Sequence, residues 1–256
     1  MPLRTVTATR YVTPLREGGS LPAVIEADDD GLYVVKFRGA GQGAKALIAE
    51  LVAGELARAA GLPIPEIVFV ELDADLGRSE PDAEIQDLIR ASAGLNLGLD
   101  YLPGSVTFDP LAEQVDAALA SAIVWFDAFI TNVDRTPRNA NLLVWHRRPW
   151  LIDHGAALYF HHNLASPVDP SRKPFPLIAD HVLLPFADHL EAADARLSAL
   201  LTPDVIARIV AAIPGVWLVD GDGAAQRQAY VDYLVNRLQA PRAFFEEAVR
   251  ARATHV

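Results

Sequence analysis

Residues 134–155 read DRTPRNANLLVWHRRPWLIDHG, and this stretch decides what kind of fold the chain can adopt. Two short apolar segments, LLVW and WLID, flank the tetrapeptide HRRP, which is the pattern of two strands joined by a turn. A hairpin returns its second strand beside its first, so Asp153 comes back beside the polar loop that holds Asp134 and Asn139. The sequence therefore predicts three oxygen-bearing side chains at one end of a hairpin.

These three side chains suit a hard divalent cation and a proton acceptor. Mg²⁺ prefers carboxylate and amide oxygens and keeps its remaining positions for water or phosphate. Asp134 is then free to orient or deprotonate an attacking hydroxyl group. Asn141 is a second amide in the same loop and competes with Asn139 for the ligand role.

The first hundred residues predict a small sheet followed by a helix. Residues 6–14, 21–27 and 32–37 are predicted to form a three-stranded antiparallel sheet, because turn residues separate these apolar runs. Apolar residues at three- and four-residue spacing then predict a helix that ends at Gly61. Another strand is predicted over residues 67–73.

Helices are predicted on both sides of the hairpin. An apolar stripe from Pro110 to Thr131, which begins at Leu111, predicts a long buried helix. Residues 161–180 are predicted to be a long loop, and the chain is predicted to be helical from about 181 onward. This order is α+β, with a mixed first half and a mainly helical second half, and it disfavours a Rossmann fold.

One charged residue lies inside an apolar strand. Lys36 belongs to LYVVKF, residues 32–37, where an ammonium group without an anion would be costly to bury. The lysine therefore needs a negatively charged partner.

The hairpin and its flanking loops resemble part of a known enzyme family. Asp134-Arg-Thr-Pro-Arg-Asn139 resembles the catalytic loop D-R-x-x-x-N of HipA-like and phosphatidylinositol-kinase-like enzymes. Asp153-His-Gly155 resembles the D-F-G metal motif of kinases, with histidine in place of phenylalanine. The resemblance implies that Asp134 is the catalytic base, Asn139 a metal ligand and Asp153 the main Mg²⁺ ligand.

The N-terminal half resembles the same family. The resemblance implies that Lys36 contacts ATP phosphates and pairs with a helix carboxylate. Residues 50–66 resemble the corresponding helix and its exit, which favours Glu50 over Glu55, and Glu55 is predicted to be a solvated charge. A Gly-Gly-Ser turn takes the place of the kinase phosphate loop, and its backbone amides are predicted to bind phosphate. These phosphate-binding residues are Gly18, Gly19 and Ser20.

Residues 96–104 fall between the two halves of the chain, where a kinase has its hinge. The resemblance implies that the backbone there hydrogen-bonds adenine. The candidates are Leu99, Asp100, Tyr101 and Leu102. A plain linker between lobes is compatible with the same residues.

The resemblance implies a two-lobed protein-kinase-like fold. A small mixed β-sheet N-lobe that binds nucleotide is expected over residues 1–102, and a mainly α-helical, catalytic C-lobe over residues 103–256. ATP and Mg²⁺ are the implied cofactors, and the implied reaction is phosphoryl transfer to an alcohol group. The expected acceptor is a Ser or Thr hydroxyl of a protein, with a lipid or small-molecule hydroxyl as the alternative.

Two hypotheses from other classes stay open. The first is a pseudokinase that binds nucleotide or acts as a scaffold, although Lys36, Asp134, Asn139 and Asp153 are all present. The second is a toxin-like module that works with a DNA-binding, antitoxin-like partner.

Composition narrows the class of protein further. The 256 residues carry a formal net charge of -11, so direct nucleic-acid binding is not expected. No signal peptide or stretch of about 20 apolar residues is present, which predicts a cytoplasmic protein without membrane insertion. His154, His161 and His162 raise the alternative of a zinc site, but the HExxH spacing is missing.

Overall fold

The computed structural model describes residues 3–15, 21–41, 43–163, 169–218 and 222–254. The strands are β1 (Thr5–Pro14), β2 (Ala23–Ala27), β3 (Leu32–Lys36), β4 (Ile67–Leu72), β5 (Gly94–Asp100), β6 (Val106–Thr107), β7 (Leu142–Trp145) and β8 (Arg148–Leu151). The α-helices are α1 (Ala44–Ala59), α2 (Ala83–Ala91), α3 (Ala117–Ile130), α4 (Leu190–Leu200), α5 (Pro203–Ala211), α6 (Gly223–Leu238) and α7 (Ala243–Thr254).

The N-terminal strands close into a small barrel in the order β1-β2-β3-β5-β4. The predicted antiparallel pairing of β1 with β2 and of β2 with β3 is confirmed. The closure was not predicted, because it depends on a parallel pairing of β1 with β4 that joins Thr5 to Phe69. Val6 and Ala8 alternate with exposed neighbours along β1 and point into the barrel core.

Helix α1 lies against the barrel and against the helical part of the chain. Its residues from Leu47 to Ala57 are buried, including the predicted apolar positions Leu51 and Leu56. Gly61 has a φ of 74°, a left-handed conformation that glycine adopts without strain, and it ends the helix as predicted.

Helix α3 forms the centre of the C-terminal lobe. Residues from Ala120 to Ile130 are all buried. The helix begins at Ala117 and not at Pro110, because the side chain of Asp116 accepts hydrogen bonds from the first free backbone amides and caps it. Leu111, predicted as part of the buried stripe, is 96% exposed.

The predicted hairpin is confirmed as β7 and β8. Leu142 pairs with Leu151, and His146 and Arg147 form the turn with positive φ angles. The backbone N–H of Ile152 donates to the carbonyl of Asn141 at 3.1 Å. The residues before β7 and after β8 therefore lie side by side.

The chain after the hairpin differs in part from prediction. Short 3₁₀ turns occur at Tyr159–Asn163 and Pro176–Asp180, where a long loop was predicted. Continuous helix begins at Leu190 and not near residue 181, because a proline-containing 3₁₀ turn at Leu184–Phe186 intervenes. In the part of the chain that the structure describes, no helix is long and apolar enough to cross a membrane.

Direct contacts join the barrel to the helical lobe. The indole N–H of Trp217 donates to the carbonyl of Leu95 in β5 at 3.1 Å, and its ring lies edge-on to Phe69. The backbone N–H of Leu151 donates to the carbonyl of Pro63 at 2.8 Å. The end of the hairpin is therefore fixed to the segment that follows α1.

The barrel interior leaves no room for a side chain at Gly98 of β5. A Cβ atom there would lie 2.7 Å from Cγ2 of Val70 and 3.2 Å from Cγ2 of Val68. We expect Gly98→Val to lower the free energy of unfolding by about 1–3 kcal/mol through overpacking, measured by urea unfolding followed by circular dichroism. Gly215→Ala is the control, because a Cβ atom at Gly215 meets no described atom within 4 Å. Equal stability of the two variants would contradict the packing of the barrel.

Candidate active site

The buried strand lysine meets the aspartate of the predicted metal motif. Lys36 ends β3, and Asp153 follows two residues after β8. The Nζ atom of Lys36 lies 2.8 Å from Oδ1 of Asp153. Asp153 has a φ of 53°, so the chain turns sharply after β8. The anion that Lys36 requires is therefore supplied by the second half of the chain.

Further carboxylates surround the same ammonium group. Burial lowers the pKa of Lys36, but the charges of Glu50 and Asp153 raise it more, so this pKa lies above its ordinary value. Asp134 acts in the same direction. Burial raises the pKa of Glu50, but Lys36 and His154 lower it more, so this pKa lies below its ordinary value. One ammonium group therefore faces three carboxylates.

The two glutamates of α1 have different surroundings. Glu55 is only 7% exposed and pairs with Arg58 one turn later. The prediction that Glu55 is a solvated charge is therefore wrong, because Arg58 compensates for its burial. Glu50 is 1% exposed, and its Oε1 lies 3.6 Å from Nδ1 of His154. This distance is longer than a hydrogen bond.

The loop after α3 arranges its amides around Asp134. Nδ2 of Asn139 donates to Oδ2 of Asp134 at 2.9 Å, and Nδ2 of Asn141 donates to the Asp134 backbone carbonyl at 2.7 Å. The predicted base and both candidate amide ligands therefore lie together. Asn139 is exposed, whereas Asn141 is buried immediately before β7.

Arg135 is the buried centre of this loop, a role that the sequence analysis missed. Its Nε lies 2.6 Å from Oδ2 of Asp127, and both side chains are fully buried. Its guanidinium also donates to the carbonyl of Asn141 and, at 3.4 Å, to that of Ile152. Burial raises the pKa of Asp127, but Arg135 and His181 lower it more, so this pKa lies below its ordinary value.

Two histidines extend this buried network. His181 accepts the backbone N–H of Leu183 at Nδ1, so its Nε2 carries the proton and donates to Asp127 at 2.9 Å. His154 is fully buried, and its Nε2 lies 3.1 Å from the Arg135 guanidinium. The histidine that replaces the phenylalanine of D-F-G is therefore held by polar contacts.

The predicted adenine-binding backbone lies in and just after β5, beside the strand of Lys36. The amides of Asp100 and Tyr101 already donate to the carbonyls of Glu66 and Leu32, at 2.8 and 2.9 Å. These two N–H groups are therefore not free to bind adenine, and the predicted hydrogen bonds to adenine would have to come from other backbone groups of residues 99–102. The phosphate-binding residues predicted from the sequence lie outside the described residues; they are Gly18, Gly19 and Ser20.

The histidines considered as zinc ligands lie in two different places. His154 belongs to the network of Arg135, whereas His161 contacts the Tyr230 hydroxyl at 3.0 Å and Nε2 of His162 at 3.1 Å. Across the described ranges, no three His, Cys, Asp or Glu side chains come together to hold a metal ion. Burial, with smaller effects of His162 and Lys45, lowers the pKa of His161 to about 3.

The fold is that of a kinase-like protein. It consists of a barrel and a helical lobe, and Lys36, Asp134 and Asp153 cluster between the two. A family model described as HipA-like kinase matches residues 9–246. The chain therefore belongs to the HipA-like kinase family, and it is a kinase.

Solved structures with low sequence identity share this fold. The Helicobacter pylori proinflammatory kinase CtkA aligns over 100% of both chains, with a TM-score of 0.63 and 12% identity. A Golgi casein kinase aligns over 99% of this chain and 73% of its own, with a TM-score of 0.50 and 12% identity. A search of curated proteins found no match.

Buried neutral histidines predict that the protein loses stability in mild acid. Unfolded histidine titrates near pH 6.5, whereas His161 titrates at about 3 in the folded protein, so the unfolded state binds more protons between these values. Stability contributed by His161 is therefore complete above about pH 6.5 and falls as the pH decreases through that window.

We expect His161→Phe to reduce the loss of unfolding free energy between about pH 7.5 and pH 5, by up to about 2 kcal/mol. Urea unfolding at both pH values measures this difference, and any constant cost of the substitution cancels. An unchanged pH dependence would show that His161 is protonated as easily in the folded protein as in the unfolded chain.

Proposed function

We propose that this kinase is active and transfers a phosphoryl group from ATP, with Mg²⁺, to a Ser or Thr hydroxyl of a protein. The contact between Lys36 and Asp153, at 2.8 Å, is the observation on which the proposal depends. It joins a buried strand lysine to the D-H-G aspartate, the two groups that phosphoryl transfer needs beside nucleotide phosphates. A pseudokinase is disfavoured, because Asp134 with its amide partners is intact as well.

Asp134 is the proposed general base. Its Oδ2 accepts a hydrogen bond from Asn139, and its backbone amide is held by Asn132 Oδ1 at 3.2 Å. These contacts orient the carboxylate while its other oxygen stays available to accept the proton of an acceptor hydroxyl. The residue is half-buried, so an acceptor from solvent can reach it.

The residues around Asp153 fit a divalent cation. The ammonium of Lys36 lies against Oδ1 of Asp153, so this carboxylate already has a cationic partner, which supports the proposal. Asp153 together with one amide oxygen, from Asn139 or Asn141, would hold Mg²⁺, which needs few protein ligands when phosphates and water complete its coordination. When bound there, Mg²⁺ would neutralise charge on the transferred phosphoryl group.

Asn141 is supported over Asn139 as the amide ligand. Its backbone carbonyl accepts the N–H of Ile152, the residue before Asp153, so it is fixed beside the metal-binding segment. Asn139 lies two residues further away in an exposed turn and already holds Asp134. The sequence analysis named Asn139, and the variants described below distinguish the two.

The nucleotide would lie between a lobe over residues 1–102 and a lobe over residues 103–256. Lys36 would contact phosphate, with Glu50 contributing its charge to the same lysine. The backbone of residues 99–102 would contact adenine, and the Gly-Gly-Ser turn after β1 would contact phosphate.

The expected phosphate acceptor is a protein hydroxyl. The Golgi casein kinase with this fold is named for a protein substrate, and we propose a protein acceptor here on that likeness. A lipid or small-molecule hydroxyl is the alternative acceptor. An antitoxin-like partner and a cytoplasmic location are retained as proposals from the sequence.

Asp153→Asn should abolish Mg²⁺-dependent ATP binding and reduce phosphoryl transfer at least about 100-fold, because the main metal ligand loses its charge. Calorimetry with and without Mg²⁺, followed by transfer from labelled ATP, measures both effects. Asp204→Asn is the matched control, since Asp204 is exposed on α5 away from the site. Full activity of Asp153→Asn would exclude the metal assignment.

Asn141→Ala should raise the Mg²⁺ concentration needed for half-maximal transfer by about 10- to 100-fold, because an amide ligand is lost. Asn139→Ala should lower kcat with little change in that concentration, because it only loosens Asp134. Transfer rates at varied Mg²⁺ and fixed ATP separate the two. The reverse pattern would restore Asn139 as the ligand.

A further inference from the structure

Glu50 and His154 are buried and incompletely hydrogen-bonded. Neither carboxylate oxygen of Glu50 has a hydrogen-bond partner among the described residues, and the same is true of Nδ1 of His154. These atoms face each other, with Nδ1 at 3.6 Å from Oε1. The charge of Lys36 compensates that of Glu50, but buried polar atoms without a hydrogen bond are rare, so the arrangement needs an explanation.

The contact with Arg135 fixes the proton of His154. A guanidinium group donates hydrogen bonds and cannot accept them. Nε2 of His154, at 3.1 Å from Arg135, must therefore be the acceptor and carries no proton. In the neutral ring the proton then lies on Nδ1, the atom that faces Glu50.

We propose that His154 is a positioning residue for phosphoryl transfer: its imidazole, with Nε2 accepting from Arg135 and Nδ1–H facing Glu50, links α1 to the loop that holds Asp134. Asp153 is its neighbour in the chain, so this link sets the position of the Asp153 carboxylate relative to both lobes. The inference rests on the proposed function in one respect, namely that Asp153 is the metal ligand. The phenylalanine of a D-F-G motif could make neither contact.

The surroundings of Asp153 support this role. Arg135 contacts the carbonyl of Ile152 at 3.4 Å and the ring of His154 at 3.1 Å, so it holds the residues on both sides of Asp153. Asp153 itself adopts a left-handed backbone conformation, which an aspartate keeps only where its neighbours enforce it. His154 adds the connection to α1, since the hydrogen bonds of Arg135 go to Asp127, the backbone around the hairpin and His154.

The link through His154 accounts for the different partners of Lys36 and Glu50. Kinases pair the strand lysine with the helix glutamate. Here Lys36 pairs with Asp153, and among the described residues no ion pair within 4 Å joins it to Glu50. In the proposed arrangement Nδ1–H of His154 faces Glu50 across 3.6 Å, and a decrease of about 0.5 Å in this separation would make the contact a hydrogen bond. Lys36 is therefore paired with Asp153, and Glu50 is left to support the metal-binding segment through His154.

The tautomer is the direct test, and it does not depend on activity. Long-range proton–nitrogen NMR correlations of ¹⁵N-histidine-labelled wild-type protein distinguish the two ring nitrogens, and the signals missing from His154→Phe identify the residue. We expect a protonated Nδ1 and an unprotonated Nε2. A ring protonated at Nε2, or at both nitrogens, at neutral pH would overturn the proposal.

A double-variant cycle tests the link in catalysis. His154→Phe and Glu50→Leu should each lower transfer about 10- to 100-fold and raise the Mg²⁺ requirement, because each breaks the same support of Asp153. The double variant should lose no more than about threefold beyond the worse single variant, because the two residues act as one unit. Fully additive losses would overturn the link.

Two further variants serve as controls for the double-variant cycle. His154→Gln retains an acceptor for Arg135, so it should lose less activity than His154→Phe; an equal or greater loss in a folded protein would count against the link. His189→Phe makes the same change at an exposed histidine outside the site and should match wild type. If wild type transfers no phosphate, the proposed function fails, while the NMR result still decides the tautomer.

Discussion

The buried ion pair between Asp127 and Arg135 is the interaction on which the active site depends. Two fully desolvated charges are tolerated only when both are paired and hydrogen-bonded. Here His181 donates to Asp127, and Arg135 donates to the carbonyls of Asn141 and Ile152 and to the ring of His154. Because Asp127 belongs to the buried central helix α3, the pair fixes the loop that holds Asp134 to the core. Removing one partner would leave an uncompensated charge where no water can reach it.

The charges around Lys36 determine how this acidic kinase would bind a polyanionic nucleotide. Lys36 faces Glu50, Asp134 and Asp153, so its single positive charge is already outweighed. Phosphate groups entering this cleft would therefore meet a locally negative field unless they brought cations with them. The same excess of carboxylates makes the site attractive to a divalent metal. Nucleotide and metal binding are thus expected to depend on each other.

Features that depend on residues close together in the sequence could be predicted. Features that depend on contacts between distant residues could not. The hairpin and Lys36 were predicted because turn residues and a charge in an apolar strand are local signals. Asp127 is likewise a single charge in an apolar segment, the one that forms α3, and could have been noticed for that reason. Its partner Arg135 lies in the following loop, so the ion pair itself was missed. The closure of the barrel depends on a pairing between strands about 60 residues apart, which no local pattern encodes. Leu111 was misassigned because apolar spacing continued past the Asp116 cap.

The closed barrel has a consequence for how a polypeptide can approach this kinase. Each of its five strands already has a neighbour on both sides, so the barrel offers no described edge at which another chain could add a strand. Among the described strands, those with a single partner are the outer strands of the small sheet β6-β7-β8. It lies next to the loop of Asp134, since β7 begins immediately after Asn141. An extended peptide recognised through its backbone would therefore find its free strand edges, among the described strands, in the sheet beside Asp134.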